Sequence, residues 1–142
     1  MQTLQDVTPT WSDRLRAAGL RVTSRRVALL ETLAAHPHIS ADELHEYAGN
    51  RVEHLTRQAV YVSLGDFVTR GLVRRIEPPG SPARYETRIG DNHHHLVCEK
   101  CGQITDVDCA IGHAPCLTPS DDAGFAVHTA DVTYFGICAN CR

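Results

Sequence analysis

The sequence predicts an α+β protein in two parts, with helices in the first part and short strands with metal-ligand residues in the second. Apolar residues recur at helical spacing up to about residue 70, and two extended runs then flank a proline-rich turn. All six cysteines follow this region. At 142 residues, with 42% apolar and 22% charged residues, the chain is long enough for a packed core. We predict two domains, the first over residues 1–88 and the second over residues 89–142.

Four helices are predicted in the first domain, because capping residues precede each apolar repeat. The first is an amphipathic segment from Trp11 to Leu20 that stops at Gly19. The others are Ser24 to Ala35 capped by Thr23, Ala41 to Tyr47 opened by a Ser40–Glu43 capping box, and a helix capped by Thr56 and ended by Gly71. In the fourth helix the buried stripe should be Ala59, Val60, Leu64, Phe67 and Val68.

Two extended runs, Leu72 to Ile76 and Ala83 to Thr87, follow the helices and predict a hairpin around the prolines at 78, 79 and 82. Helices followed by a basic hairpin (Arg74, Arg75, Arg84, Arg88) predict a winged helix-turn-helix that binds operator DNA. Arg57, Gln58 and Tyr61 would contact DNA from the fourth helix, and Arg21, Arg26 and Arg74 would add backbone contacts. The alternative is an ordinary solvated helical face.

The formal charge is divided unevenly along the chain. Residues 1–90 carry +2 and residues 91–142 carry −5, which favours a nucleic-acid-facing first part. An apolar run long enough for a membrane span and a signal pattern at the first residues are both missing from the sequence. We therefore expect a soluble, cytoplasmic protein with no membrane partner.

Four short strands are predicted in the second domain. They are His93 to Cys98, Gln103 to Asp108, Phe125 to His128 and Asp131 to Ile137, with a loop over residues 110–122.

Two Cys-x-x-Cys pairs lie at predicted strand ends. They are Cys98 with Cys101 and Cys138 with Cys141. Each pair supplies two soft ligands from one tight turn, and together they predict a structural zinc site with a closed shell of four thiolates. Two separate redox dithiols or a disulfide framework are the alternatives.

Three consecutive histidines precede the first cysteine pair. On a strand His93 and His95 project from one face and His94 from the other. With Glu86 upstream and Asp106 on the neighbouring strand they can form a mixed nitrogen and oxygen site for Fe(II), Mn(II), Ni(II) or Zn(II). The alternative is a solvated histidine cluster.

These motifs resemble the ferric uptake regulator family over nearly the whole chain from about Leu15. The resemblance rests on residues 19–23, 38–44, 58–61, 71–73, 93–98 and both cysteine pairs. Residues 74–78, 90–93 and 115–122 are most similar to the actinobacterial peroxide-responsive branch, which represses catalase or catalase-peroxidase genes.

The resemblance implies a homodimer with an N-terminal winged helix and a C-terminal α/β dimerisation domain. It also implies a regulatory ion, Fe²⁺ or Mn²⁺, at the hinge, held by His38, Glu86, His93, His95 and Asp106. Asp at position 106 is typical of the family's peroxide sensors. A metal held by both domains would fix one angle between the two winged helices.

The chain departs from the family pattern at several positions. Val62 and Gly65 replace the usual Arg and Asn of the recognition helix, and a loop-like region with Cys109 and Cys116 replaces a helix. These two cysteines are possible redox thiols, although nearby aspartates should raise their pKa. A third metal site would need His113 or His128, and the match there is poor.

Taken together, the residues and the resemblance predict a metal-dependent, peroxide-responsive repressor that is not an enzyme. The alternative within the family is an iron, zinc or nickel uptake regulator. Outside this class, a zinc-ribbon enzyme lacks a nucleophile–base pair with motif support, and a zinc storage or delivery protein would not need a winged helix.

Overall fold

The structure is a computed structural model that describes residues 9–90, 93–108, 119–127 and 130–142. The chain divides into two compact units, Met1–Glu77 with Pro82–Ile89 and Pro78–Ser81 with Gly90–Arg142. Residues 78–81, at the tip of the predicted hairpin, thus group with the second unit, whereas we expected them in the first domain. Helices and two small sheets confirm the α+β class.

Four helices form the body of the first unit: α1 Trp11–Ala17, α2 Ser24–Ala35, α3 Ala41–Ala48 and α4 Arg57–Thr69. Thr23, Ser40 and Thr56 cap α2, α3 and α4 as predicted, each accepting a backbone N–H three residues ahead. Glu43 completes the expected capping box of α3. Local side-chain chemistry therefore sets where these helices begin.

The core of the first unit lies between the helices and the small sheet. In α4 the side chains of Val60, Leu64 and Phe67 are fully buried, as predicted, whereas Ala59 and Val68 are half-buried. Leu15 of α1, Leu29, Leu30 and Leu33 of α2 and Leu44 of α3 pack in the same cluster. The opposite face of α4 is left for solvent or a partner.

A three-stranded antiparallel sheet closes the first unit, in the order β1 (Ile39–Ser40), β3 (Arg84–Glu86), β2 (Arg74–Ile76). The hairpin of β2 and β3 was predicted, although both strands are shorter than expected. β1 was not predicted, because two residues between helices give no alternating pattern. Its pairing, Ile39 with Tyr85, joins the segment before α3 to the hairpin.

The second unit contains a three-stranded sheet in the order β5 (Ile104–Val107), β4 (His94–Cys98), β6 (Thr133–Gly136). β4 pairs antiparallel with β5 and parallel with β6. The long connection between β5 and β6 permits the parallel arrangement.

The strand predicted at Phe125 to His128 is wrong for the residues that the structure describes. Residues 125–127 form no strand, and His128 lies outside the described part. Asp121 and Asp122 instead accept the N–H groups of Ala123 and Gly124 and form a turn, while Phe125 and Val127 stay exposed. Within the part of the chain that the structure describes, no strand pairs with these apolar residues.

The helices of the described ranges are all too short or too polar to cross a bilayer.

We expect Gly65 and Gly71, inside and just after α4, to respond oppositely to alanine. A β-carbon at Gly65 would meet nothing within 4 Å, so Gly65→Ala should raise the free energy of unfolding by about 1 kcal/mol through helix propensity. Gly71 has φ +73°, and Gly71→Ala should lower the free energy by about 1 kcal/mol because a β-carbon disfavours this left-handed conformation. Urea unfolding of both variants measures the difference. Shifts of the same sign would contradict the end of α4 as described.

Candidate metal centres and nucleic-acid interface

The four cysteines of the two pairs lie together in the second unit. The four Sγ atoms all lie within 4.8 Å of one another; they belong to Cys98, Cys101, Cys138 and Cys141. The parallel pairing of β4 with β6 explains this, because Cys98 pairs with Gly136 and the carboxyl ends of both strands meet at one edge. All four are free thiols, so the disulfide alternative is not what the structure has.

Backbone hydrogen bonds favour the thiolate of Cys98. The N–H groups of Cys138 and Cys101 donate to its Sγ at 3.3 and 3.5 Å, and they lower the pKa of Cys98 to about 6. The hydrogen bond with the Cys138 thiol, followed by burial, raises the pKa of Cys141 to about 12. Four thiols this close together cannot all ionise unless a cation compensates their charge. The cluster therefore has the composition and proximity of a tetrahedral soft-metal site.

A second group of ligand residues lies at the other end of β4. His93 and His95 are 1% and 0% exposed, and their Nε2 atoms lie 3.5 and 3.3 Å from one carboxylate oxygen of Asp106. The register places His95 directly opposite Asp106 on β5. Two imidazoles and a carboxylate thus converge on one point, and the solvated-cluster alternative does not fit their burial.

The side chain of His94 is also buried, but its hydrogen bond is with the backbone rather than with a carboxylate. Its Nδ1 accepts a hydrogen bond from the backbone N–H of Val132 at 3.2 Å. This contact fixes the ring near the segment that leads into β6, and sequence reasoning missed it because no motif marks Val132.

The first unit also contains a histidine–carboxylate pair. His38 Nε2 lies 2.9 Å from Oε2 of Glu86, which is 1% exposed. His38 has φ +66°, an uncommon conformation for a residue other than glycine. The N–H of His38 donates to the carbonyl of Tyr85 at 3.0 Å, so the β1–β3 pairing holds this geometry.

Arg84 connects this pair to the start of α3. Its Nη1 lies 3.4 Å from the carbonyl oxygen of His38 and 3.2 Å from Oε1 of Glu43. The same Glu43 oxygen accepts from the N–H and hydroxyl groups of Ser40. Sequence reasoning assigned Arg84 to the basic wing, but its guanidinium points inward; the capping box identified Glu43 without showing this second role.

The residues predicted to contact DNA differ in their exposure to solvent. Arg57, Gln58 and Tyr61 lie exposed on α4, with Tyr61 55% exposed and Arg57 3.5 Å from Asp42. Arg21 is exposed, whereas Arg26 is half-buried, donates to the carbonyl of Arg21 at 2.6 Å and lies 3.7 Å from Asp66. Arg74 is half-buried, and its neighbour Arg75 is exposed and paired with Glu77 at 2.6 Å.

Four other residues singled out in the sequence lie outside the described residues: Cys109, Cys116, His113 and His128.

The chain is similar to proteins of one family over most of its length. The model of the ferric uptake regulator family matches residues 17–135. The transcriptional regulator FurA of Mycobacterium tuberculosis (strain ATCC 25618 / H37Rv) is 51% identical over 133 residues, which cover 94% of this chain and 90% of that protein. The peroxide-responsive repressor PerR of Staphylococcus epidermidis (strain ATCC 12228 / FDA PCI 1200) is 31% identical over 134 residues, 90% of this chain and 85% of that one.

A solved structure shows a similar fold. The ferric uptake regulator of Vibrio cholerae superposes with a TM-score of 0.67 and 27% identity, covering 89% of this chain and 98% of that one.

We expect purified protein to contain one zinc ion per chain and Cys98→Ser to lose both the zinc and the fold of the second unit. The reason is that binding energy at a structural zinc site is also folding energy. Elemental analysis together with circular dichroism measures both properties. Cys116→Ser serves as the control and should retain zinc. A folded, zinc-free Cys98→Ser protein would show that the four thiols are not a structural site.

Proposed function

The chain belongs to the ferric uptake regulator family, and from that premise we propose that it is a metal-dependent, peroxide-responsive repressor that binds pseudo-palindromic operator DNA as a homodimer. As a member of this family it is a transcriptional regulator rather than an enzyme. The repressor would act in the cytoplasm. Its targets would be the genes for catalase or catalase-peroxidase and other oxidative-stress genes. The proposal rests above all on two buried sets of nitrogen and oxygen ligands, one in each unit of the chain.

Neither set is complete on its own. His38 and Glu86 supply one nitrogen and one carboxylate in the first unit, while His93, His95 and Asp106 supply two nitrogens and one carboxylate in the second. Ligands of this mixed type suit Fe²⁺ or Mn²⁺. One ion that takes ligands from both sets would bind best at a single arrangement of the two units, and so it would shift the protein towards that arrangement.

Peroxide sensing would act on this same ligand set. Bound Fe²⁺ would activate the peroxide, and the imidazoles of His38, His93 and His95 are the oxidisable groups of this ligand set. One oxygen atom of the peroxide would be added to an imidazole ring and the other would leave as water. An oxidised imidazole is a poorer ligand, so the two units would no longer be held together and the repressor would release DNA.

Thiol oxidation at Cys109 and Cys116 is the alternative route. Asp106, Asp108, Asp121 and Asp122 are close in the sequence, and their negative charge disfavours the reactive thiolate. We therefore propose histidine oxidation as the sensing chemistry.

An exposed apolar surface of the second unit supports the homodimer. Four large apolar side chains of the second unit are each 45–47% exposed: Leu96, Tyr134, Phe135 and Ile137. Within the described sheet β6 pairs only with β4. An apolar surface beside an edge strand is typical of a contact with another chain. A second copy that buries this surface would bring two winged helices together for the two halves of one operator.

The DNA-binding role is supported by the free face of α4 beside the hairpin. The Vibrio cholerae regulator, which shares the fold, has DNA-binding domains. In this chain Arg57, Gln58 and Tyr61 are exposed on α4, with Arg57 as its first residue.

We expect Glu86→Gln to abolish metal-stimulated DNA binding while zinc content and dimer size stay unchanged. The amide keeps the volume of the buried side chain but removes the anionic ligand, which should weaken regulatory-metal binding by about 100-fold or more. Fluorescence anisotropy of a labelled operator with and without Mn²⁺ measures the effect. Glu31→Gln, which removes a surface carboxylate of the same unit, should respond to metal as the parent does. Loss of the dimer with an unchanged metal response would mean that the roles of the two metal sites are exchanged.

We expect Tyr61→Ala to weaken operator binding about tenfold or more, because it removes a major-groove contact. Tyr47→Ala, at another exposed tyrosine on α3, should bind DNA as tightly as the parent. A mobility-shift assay at several salt concentrations measures the affinities, and a steep salt dependence is expected for phosphate contacts. Unchanged binding by Tyr61→Ala would exclude α4 as the reading helix. Failure of the parent to bind any duplex would favour the storage or delivery alternative.

We expect peroxide to release the iron-bound protein from DNA but not the manganese-bound protein. Mass spectrometry should then find one added oxygen atom on a peptide that contains His38, His93 or His95, with iron only. A Cys109–Cys116 disulfide that forms equally with either metal would support thiol sensing instead. Unchanged DNA binding after peroxide would favour a metal-uptake regulator of the same family.

A further inference from the structure

An apolar side chain lies in the middle of the exposed face of α4. Val62 is 58% exposed and is not among the residues that form or flank the core of the first unit. At about 100° per residue, Val62 lies on the side of α4 opposite Val60, Leu64 and Phe67. An isopropyl group therefore lies exposed beside Gln58 and Tyr61, which we assign to DNA contact.

Neither packing nor helix stability accounts for a valine at this position. A β-branched side chain lowers helix propensity relative to alanine, and an exposed isopropyl group gains nothing from burial in the free protein. Any stabilising contact of the Val62 side chain must therefore come from a partner that covers this face.

Gly65 leaves the isopropyl group uncovered. It lies three residues after Val62 and is its neighbour along the helix surface, and a β-carbon at Gly65 would meet nothing within 4 Å. A longer side chain at position 65 would stand beside Val62 and shield it from an approaching surface.

The charged groups around Val62 permit the approach of a phosphate-lined groove. Asp66, one turn further along, lies 3.7 Å from the guanidinium of Arg26, and Arg57 lies exposed at the start of the helix. The negative charge of the Asp66 carboxylate is therefore compensated by the Arg26 guanidinium.

We propose that Val62 is a specificity-determining residue that contacts the C5-methyl group of a thymine in the major groove. This rests on the proposed DNA-binding role of α4. The thymine methyl is the one apolar group that base pairs present in the major groove, and the other base-edge atoms are hydrogen-bond donors or acceptors. Valine cannot form hydrogen bonds with those atoms, so an apolar contact with thymine is the interaction that favours it. Each half of the operator should accordingly contain one thymine whose methyl group matters only because Val62 is present.

The test uses the full-length, metal-bound protein and a duplex selected by it from a randomised DNA library. Each thymine of the selected duplex is replaced in turn by deoxyuridine, which removes only the C5-methyl group, and affinities are measured by fluorescence anisotropy. At one position in each half-site the parent should lose about fourfold in affinity, the loss expected when one methyl group leaves an apolar contact.

Val62→Ala should show no loss at that same position, because the group that contacts the methyl is gone. This substitution favours the helix, so folding is not at risk. Val127→Ala, at a valine 53% exposed in the second unit, is the matched control and should discriminate thymine from uracil as the parent does. A thymine that is read by another residue, such as Tyr61, would lose affinity equally in the parent and in Val62→Ala.

Equal losses in the parent and Val62→Ala at every thymine would overturn the proposal while leaving the DNA-binding role intact. A parent protein that selects no duplex would overturn both. Loss of discrimination in Val62→Ala at one thymine per half-site, with discrimination retained in Val127→Ala, would establish it.

Discussion

The position of β4 between β5 and β6 is the constraint on which the second unit depends. His93 lies just before its amino end, His95 lies within it, and Cys98 is its last residue. Antiparallel pairing with β5 brings Asp106 opposite His95, and parallel pairing with β6 brings the second cysteine pair beside the first. A slip of one residue in either pairing would turn the ligands to the wrong face. Because the thiol cluster spans β4 and β6, metal binding there would also fix the register of β6 on β4.

In the first unit, contacts around a left-handed backbone conformation fix the position of His38. His38 adopts φ +66°, and three groups hold it there: the Tyr85 carbonyl, the Arg84 guanidinium and the Glu86 carboxylate. Backbone strain of this kind persists only where surrounding contacts enforce it. Arg84 also contacts Glu43 of the α3 capping box, so the orientation of His38 and the start of α3 depend on shared hydrogen bonds.

Local chemistry made much of this structure predictable from the sequence. The capping residues Thr23, Ser40 and Thr56 identified three helix starts to the residue, since a cap acts over three positions. The proximity of the two cysteine pairs could be expected from their spacing, because paired knuckles commonly share one ion.

Features that depend on contacts between residues far apart in the sequence could not be predicted from local patterns. The parallel direction of β6, the pairing of β1 with β3 and the inward orientation of Arg84 all depend on residues far along the chain. The strand predicted from Phe125 fails over residues 125–127 for the same reason, because no strand of the described residues pairs with them.

The arginines of the first unit show how the proposed DNA-binding role is compatible with a formal net charge of −3 for the whole chain. Arg57 and Arg75 lie beside Asp42 and Glu77, and these groups are largely exposed. Exposed ion pairs contribute at most about 1 kcal/mol each, so a phosphate can replace the carboxylate at little cost. The carboxylates thus restrict where each guanidinium lies without competing strongly for it. Since residues 1–90 carry a formal charge of only +2, DNA affinity in the proposed role would depend on where the arginines are placed and on the uncharged groups exposed on α4. The excess of charge alone would be too small to select one DNA sequence over another, because phosphate contacts carry no sequence information.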